Sequence, residues 1–356
     1  MNQLKRLFAV VLMTTLMVTI VGCGDKKVET AEVKEDVTTE AKAEVTTEAK
    51  EVAKELVVAG VVFQEDQFMK LMALGFEQAA KDLGVKCLSG NTANDQAKEA
   101  ELVNTYLAQK VDGLAIAPLN QDSSVAALDA ASKTGMKIAV TNIELTNAPF
   151  IVGGYTSNNY NIGQVTGQAA AQFIKEKLGG KAKIAIVQFK SLLPQQSADR
   201  VNGFLDEVKK VNPEVEIVSD QDAWLQDKAV AVVGDIITAN PEVQVIYAAN
   251  EGGTIGATMA VQNAGKAGSI FCFGTDASDQ LISMLKDENN ILQAITGQDP
   301  YAMGYNAMET LVKDLKGEDM SASYGKTIIV EGVLLSRANP EGITQFETDL
   351  KEKMGN

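Results

Sequence analysis

Residues 61–80 read VVFQEDQFMKLMALGFEQAA, and their character changes abruptly after the third position. The apolar run 56–63 predicts a buried strand, and the segment from 67 onward predicts a helix with apolar side chains at helical spacing. We expect the Met and Phe stripe of that helix to pack in a core. Between strand and helix lies a polar segment, Gln64-Glu65-Asp66-Gln67, followed directly by Phe68. Carboxylates, amides and an aromatic at the mouth of a strand-to-helix turn favour a binding site there.

Nine further short apolar runs alternate with amphipathic segments along the chain. They begin at residues 85, 113, 137, 150, 183, 215, 243, 269 and 291. Their hydrophobicity is continuous rather than alternating, which is typical of parallel strands covered on both faces. Ten such strands exceed what one open sheet usually holds, so the sequence predicts two doubly wound Rossmann-like α/β lobes with a break near 156–159.

The strands of this pattern end in polar residues. They are Gln64–Phe68, Asn142, Asn250, Asp276 and Gln298. Ligands of open α/β sheets bind beyond the carboxyl ends of the strands, so these side chains are candidate ligand contacts. None of the strands is followed by a phosphate-binding loop, because the glycine-rich turn at 251–254 lacks the required spacing and lysine.

Composition excludes several classes of function. The net charge of −15 over 356 residues argues against a nucleic-acid partner, whose phosphates attract basic surfaces. The chain contains no histidine, which removes Ser-His-Asp and Cys-His nucleophiles and the commonest zinc ligand. We expect neither a metal nor a cofactor, and we expect a binding protein rather than an enzyme.

The N-terminus has the three parts of a secretory signal: a basic start, an apolar stretch at 7–21 and a cleavage motif. The motif Ile20-Val21-Gly22-Cys23 resembles the lipobox of bacterial lipoproteins, which implies cleavage after residue 22 and lipid on Cys23. The alternative is a secreted protein with a chance cysteine. Residues 23–55 are rich in Lys, Glu, Ala, Thr and Val, which predicts a disordered acidic tether or a marginal helix.

The remaining chain resembles the periplasmic sugar-binding proteins of the ribose-binding type, the type I substrate-binding components of ABC importers. The resemblance covers residues 56 to about 333 and rests on five motifs in the family's order. They are SNNYNIGQVTG (157–167), ADRVNGF (198–204), YAANEGGTIGA (247–257), FGTDAS (273–278) and ITGQDPYAMG (295–304).

The resemblance implies a sugar or polyol site built from both lobes. Its residues would be Arg200, Trp224, Asn250, Asp276 and Gln298 on one lobe, and Asp66, Phe68, Met69 and Asn142 on the other. Carboxylates accept from hydroxyls, Arg and amides donate, and an aromatic face covers the C–H side of a ring. Where ribose binders carry Asp-Arg after the fourth strand this chain has Asn142-Ile143, and Asp66 replaces an Asn, which puts ribose itself in doubt.

Each residue also has a simpler interpretation. Arg200 would by default be a surface residue, Asp276 could cap the following helix, and Trp224 could be a half-buried surface aromatic. Asp66 and Asp276 could form the acid–base pair of a glycosidase, but they come from opposite walls of a moving cleft, which suits binding better.

The resemblance further implies an N-terminal lobe of residues 56–156 and 299–328 and a C-terminal lobe of residues 157–298 and 329–356. Three crossings near 156–158, 298–300 and 326–329 would form a hinge that closes on ligand. The closed monomer would deliver its sugar to a membrane permease driven by a separate ATPase. The lipid anchor would hold it at the outer face of the cytoplasmic membrane, with a Gram-positive envelope favoured, or in a periplasm.

Three other functions were considered. A transcription repressor is rejected because the chain lacks a basic DNA-binding segment. The other two are an enzyme and an accessory that presents its ligand to a sensor kinase or chemoreceptor.

Overall fold

The computed structural model of the chain describes residues 55–354. The predicted signal peptide, Cys23 and all but the last residue of the predicted tether lie outside this range. Within it, no helix is both long and apolar enough to cross a bilayer.

The first sheet contains six strands in the order β11-β5-β4-β3-β1-β2, all parallel. Its strands are β1 (Val57–Val62), β2 (Lys86–Asn91), β3 (Gly113–Ile116), β4 (Lys137–Thr141), β5 (Ile151–Thr156) and β11 (Thr327–Ile329). The helices of this lobe are α1 (Gln67–Asp82), α2 (Gln96–Ala108), α3 (Ser123–Lys133) and α9 (Pro300–Leu315).

The second sheet repeats this arrangement in the order β12-β10-β9-β8-β6-β7, and only β12 runs antiparallel to its neighbour among these described strands. Its strands are β6 (Lys183–Gln188), β7 (Glu216–Asp222), β8 (Val245–Ala248), β9 (Phe271–Thr275), β10 (Leu292–Gly297) and β12 (Val333–Ser336). The helices are α4 (Asn159–Lys177), α5 (Pro194–Val211), α6 (Gln226–Ala239), α7 (Glu251–Asn263), α8 (Asp279–Lys286) and α10 (Pro340–Met354).

The predicted fold class of two doubly wound α/β lobes is therefore confirmed, and all ten predicted apolar runs form strands. The sequence did not predict β11 and β12. Both are short strands at a sheet edge, and most of their residues are exposed or only partly buried. Their apolar runs, 328–330 and 333–335, contain only three residues each, which is too short to predict a strand from hydrophobicity alone.

The chain passes between the two sheets at 157–158, 298–299 and 330–332. The first two crossings lie where they were predicted. The third lies directly after the predicted segment 326–329, because residues 327–329 pair with β5 as β11. The C-terminal helix α10 packs on β12 and α8 of the second lobe.

Glycines bring helices into backbone contact in both lobes. In the second lobe, a Cβ on Gly163 of α4 would lie 1.8 Å from the carbonyl oxygen of Arg200 in α5, and one on Gly203 would lie 2.1 Å from that of Tyr160. In the first lobe, a Cβ on Gly304 of α9 would lie 2.2 Å from the carbonyl oxygen of Met72. Only residues without a side chain allow this approach, and in the second lobe it fixes the height of Arg200 above the sheet.

We expect Gly163→Ala to destabilise the protein by about 1–3 kcal/mol, because the added methyl group overlaps a backbone that must shift. The shift would also displace Arg200 and weaken ligand binding. Urea unfolding measures the first effect and calorimetric titration the second. The matched control is Gly234→Ala in α6, where nothing lies within 4 Å of the new Cβ; it should gain about 0.5–1 kcal/mol. Equal stability of the two variants would contradict this account of the α4–α5 contact.

Candidate ligand-binding site

The structure brings eight of the nine predicted contact residues together around one small cavity between the lobes, which we call the central cavity. Its volume is about 40 Å³. The predicted residues in its wall are Asp66, Phe68, Met69, Asn142, Arg200, Asn250, Asp276 and Gln298. Both sheets point the carboxyl ends of their strands at this cavity, as the sequence pattern predicted.

Trp224, the ninth residue, does not line the central cavity. Its side chain is half-buried, and its backbone carbonyl accepts a hydrogen bond from the Asn250 amide at 3.0 Å. Trp224 follows β7, the outermost strand of the second sheet, and is separated from β8 by β6. This position explains why its indole lies outside the wall while its backbone orients Asn250.

Asn142 and Asp276 occupy equivalent positions in the two lobes. Each follows the fourth strand of its sheet and has a left-handed backbone, with φ of 68° and 76°. Their N–H groups donate to Tyr155 and Thr296 on the neighbouring strands, both at 2.9 Å. Asn and Asp are the residues other than glycine that adopt this conformation most readily. The backbone turn consequently directs one amide and one carboxylate into the cavity from opposite sides.

The second lobe holds its polar side chains in a connected network. Asp276 accepts hydrogen bonds from the backbone N–H of Glu251 at 2.8 Å and from the Gln298 amide at 2.5 Å. Arg200 is buried; its Nη1 donates to the carbonyl of Ala249 at 2.8 Å and its Nε to Asn159 at 2.9 Å. These groups are therefore held in place by protein partners before a ligand arrives.

Arg200 also has an aromatic neighbour and a charged one. Its guanidinium carbon lies 5.1 Å from the centre of the Phe189 ring, within the range of a cation–π contact. The guanidinium interacts electrostatically with the Asp276 carboxylate, which opposes the lowering of the Arg200 pKa by burial. The default interpretation of Arg200 as a surface residue is thus wrong.

The helix that follows Asp276 is not capped by Asp276, although the sequence allowed that role. Ser278, not Asp276, caps α8, since its hydroxyl accepts from the N–H of Leu281 at 3.4 Å. Asp66 does cap α1: one carboxylate oxygen accepts from the N–H of Met69 at 2.9 Å, and the other accepts from the Gln64 amide. Asp276 therefore does not cap α8, the helix that follows it. Asp66, by contrast, both caps α1 and lines the central cavity.

Comparison with known proteins agrees with this geometry. Residues 56–319 match the periplasmic binding protein domain family. The chain belongs to this family. It is 25% identical over 306 residues to the ABC transporter periplasmic-binding protein YphF of Escherichia coli K12, covering 84% of this chain and 86% of that protein. It is 26% identical over 267 residues to the ribose import binding protein RbsB of Bacillus subtilis 168, covering 74% and 83%.

A solved structure shares the fold. It is an ABC transporter solute-binding protein from Bacillus halodurans C-125 with bound myo-inositol, which has a TM-score of 0.73 at 18% identity. The match covers 83% of this chain and 98% of that one. The predicted resemblance to sugar-binding periplasmic proteins of the ribose-binding type is therefore confirmed, and the homologues are sugar-binding transport proteins rather than enzymes.

This member of the family places a third carboxylate in the central cavity, which sequence reasoning missed. Glu251 begins α7 directly after Asn250 and is 7% exposed. Its carboxylate accepts from the N–H of Phe68 in the opposite lobe at 3.4 Å. Its position next to Asn250, within the motif at 247–257, was the available signal.

Burial raises the pKa of all three carboxyl groups. The pKa of Glu251 rises to about 8, first because of burial and then because of Asp66 and Asp276 nearby. That of Asp66 rises to about 6, mainly by burial, with Asp276 adding to the rise. The pKa of Asp276 is raised by burial, which the charge of Arg200 opposes. Burial and the neighbouring carboxyl groups therefore favour the protonated form of Glu251.

The lobes touch across the central cavity through direct hydrogen bonds. Besides the bond from Phe68 to Glu251, the N–H of Asp279 donates to Gln67 at 3.0 Å and the Gln196 amide donates to the carbonyl of Asn142 at 2.5 Å. Gln196 lies one helical turn before Arg200 and was also missed. A cavity of about 40 Å³ holds roughly three water molecules, far less than a sugar. In this structure the central cavity is therefore smaller than a sugar.

The raised pKa of Glu251 has a consequence for stability. Its folded pKa of about 8 exceeds the ordinary 4.5, so the unfolded state loses its proton first as pH rises. The free energy of unfolding of the ligand-free protein should therefore fall between pH 4.5 and 8, by at most about 1.4 kcal/mol per pH unit from this one group. We expect Glu251→Gln to flatten that decline and to be more stable than wild type at pH 8, as measured by urea unfolding across pH.

The control for this experiment is Glu352→Gln, a change at an exposed residue of α10 that should leave the pH profile unaltered. A Glu251→Gln profile that runs parallel to that of wild type would show that the Glu251 carboxyl is not responsible for the decline. Asp66 would then account for the part below pH 6 alone.

Proposed function

We propose that the protein binds a monosaccharide or polyol between its two lobes and delivers it to an ABC importer. The observation that carries this proposal is the convergence of polar side chains from both lobes on one cavity at the carboxyl ends of the strands. The family's sugar-binding transport role supports it. An importer is also favoured over a signalling accessory, because the relatives are named for ABC transport and ribose import.

The side chains of the central cavity match the chemistry of a polyol. Asp276 accepts hydrogen bonds, Arg200 donates them, and the amides of Asn250 and Gln298 do both. In a cavity shielded from water, bonds with a charged partner are about twice as strong as neutral ones. Phe68, at the wall from the opposite lobe, covers the apolar C–H side of a ring.

Binding would proceed by opening and closing of the lobes about the three crossings. The hydrogen bonds of Gln196 and Glu251 across the cavity must break to admit a ligand. A bound polyol would then replace them with bonds to both lobes at once, which stabilises the closed form. A closed form that depends on the ligand gives a permease a surface by which to distinguish loaded from empty protein.

We further propose that Cys23 carries a lipid anchor after removal of residues 1–22, and that residues 23–55 tether a monomeric body to the membrane. The tether would hold the body at the outer face of the cytoplasmic membrane, or in a periplasm, where imported sugars arrive. The partners would be a permease and its ATPase, and no chemical turnover of the sugar is expected.

The site is tested with a panel of pentoses, hexoses, inositols and linear polyols, first by thermal shift and then by calorimetric titration. We expect one class to raise the melting temperature, since a ligand at a hundred times its Kd adds about 2.7 kcal/mol of stability. Asp276→Asn should weaken that ligand about tenfold to a hundredfold, because a hydrogen bond to a charged group is lost. Asp235→Asn, at an exposed position of α6, is the control and should bind normally.

Two results would contradict the proposal. One is a panel in which no sugar or polyol shifts the melting temperature. The other is a ligand whose affinity is the same in Asp276→Asn and in Asp235→Asn, since that ligand would occupy a different site.

The anchor is tested separately by replacing cysteines one at a time. Cys23→Ser should abolish labelling by a radioactive fatty acid and move the protein from the membrane fraction to the soluble fraction. Cys87→Ser is the control: Cys87 is a free, partly buried thiol of β2 and should leave labelling unchanged. Continued membrane association of Cys23→Ser would exclude a lipid on that residue.

A further inference from the structure

A second cavity of about 390 Å³ lies beside the central cavity and beneath the C-terminal helix α10. We call it the helix-covered cavity. Its apolar wall includes Phe68, Leu71, Pro300, Tyr301, Phe346 and Leu350. It shares four wall residues with the central cavity, namely Phe68, Glu251, Asp276 and Gln298. Three of these are polar groups of the proposed sugar site, so the two cavities are neighbours across the same side chains.

The sizes of the two cavities differ about tenfold. The central cavity measures about 40 Å³ and the helix-covered cavity about 390 Å³. Ligand sites in proteins usually span about 300–1,000 Å³, so only the larger of the two is already of ligand size. A ligand confined to the central cavity would leave the larger space beside it unused.

The wall of the helix-covered cavity is chemically unlike a sugar site. Phe346 and Leu350 come from α10, Tyr301 from α9 and Leu71 from α1, so three helices and both lobes contribute apolar surface. The Phe346 ring lies over Gly297 of β10, about 3.5 Å from where a Cβ would be. Aromatic and aliphatic walls of this kind bind apolar groups, because burying them removes apolar surface from water.

The charges around this cavity exclude anionic groups. Within residues 55–354, five acidic side chains line it, namely Glu251, Asp276, Asp299, Glu331 and Asp349, against one basic side chain, Lys353. Lys353 is paired with Asp299 at 2.6 Å and lies 6.0 Å from the centre of the Tyr301 ring. A phosphate or carboxylate would therefore meet an excess of negative charge.

We propose that the natural ligand is a sugar or polyol bearing an uncharged apolar substituent, with the polyol part in the central cavity and the substituent in the helix-covered cavity. This rests on the proposed function and deepens it, since it names the class of sugar. Phe346 and Leu350 of α10 would then determine specificity without touching the polyol.

A third cavity, of about 440 Å³, offers a different extension of the site. It contains amides such as Asn120, Gln121 and Asn159, which suit a second sugar unit. It shares only Leu192, Leu193 and Gln196 with the central cavity, and the Gln196 side chain is bonded to the Asn142 carbonyl. None of these is a predicted sugar contact, so the helix-covered cavity is the better continuation.

The test compares matched sets of ligands on the full-length protein by calorimetric titration. Each set contains a parent sugar (ribose, arabinose, glucose, allose or myo-inositol), a derivative with a phenyl or benzyl group, and a phosphate at the same position, together with a disaccharide of the sugar. We expect the aromatic derivative in one set to bind at least about tenfold more tightly than its parent, as burial of an aromatic ring allows. The phosphate should bind at least about tenfold more weakly than the parent.

Two variants locate the effect. Phe346→Ala should reduce the tighter binding of the aromatic derivative by about tenfold and leave the parent sugar unchanged. Gln345→Trp places a bulky ring at the exposed mouth of the cavity and should do the same without removing a packed side chain. Thr348→Ala, on the exposed face of the same helix, is the control and should alter neither affinity.

The outcomes separate this inference from the proposed function. Parent sugars that bind as tightly as, or more tightly than, every aromatic derivative would overturn the inference and leave the sugar-binding function standing. A preference for the disaccharide would overturn it in favour of the third cavity. Tighter binding of the aromatic derivative that survives both Phe346→Ala and Gln345→Trp would place the substituent elsewhere and also overturn it. No response to any member of any set would overturn the proposed function itself.

Discussion

The candidate site depends on one geometric constraint, that parallel strands of a doubly wound sheet all end at the same edge. Because β1, β3 and β4 end together, Asp66 and Asn142 meet although they lie far apart in the chain. The same holds for Asn250 and Asp276 in the second lobe, whereas Arg200 reaches the same cavity from helix α5. Residues from the two edges face each other across the central cavity. The residue types at these positions then decide the chemistry of the cavity.

Within that arrangement, the central cavity contains more acidic than basic side chains. Asp66, Glu251 and Asp276 face one guanidinium, that of Arg200. Burial, together with Asp66 and Asp276 nearby, raises the pKa of Glu251 to about 8, which favours its protonated form. One of the hydrogen bonds that join the lobes is long, 3.4 Å from the N–H of Phe68 to the carboxylate of Glu251.

The helix pairs that carry Arg200 and Phe68 are packed backbone against backbone. Backbone contact at Gly163 and Gly203 leaves α4 and α5 no freedom to slide, and Gly304 does the same for α9 and α1. These contacts hold Arg200 and Phe68 in place within their own lobes. The crossings between the lobes are short, each of two or three residues.

The sequence by itself determined the ten principal strands and the division into two α/β lobes, because each strand is marked locally by an apolar run that ends in a polar residue. Together with the family's motifs it also indicated eight of the fifteen residues that line the central cavity. It did not reveal β11 and β12, whose pairing depends on sheet edges formed elsewhere in the chain. The tertiary structure alone decided that Trp224 lies beyond the outermost strand, that Glu251 and Gln196 bridge the lobes, and that α10 covers a second cavity. Those facts depend on which elements meet in space, and residue spacing along one chain carries no record of contacts between distant segments.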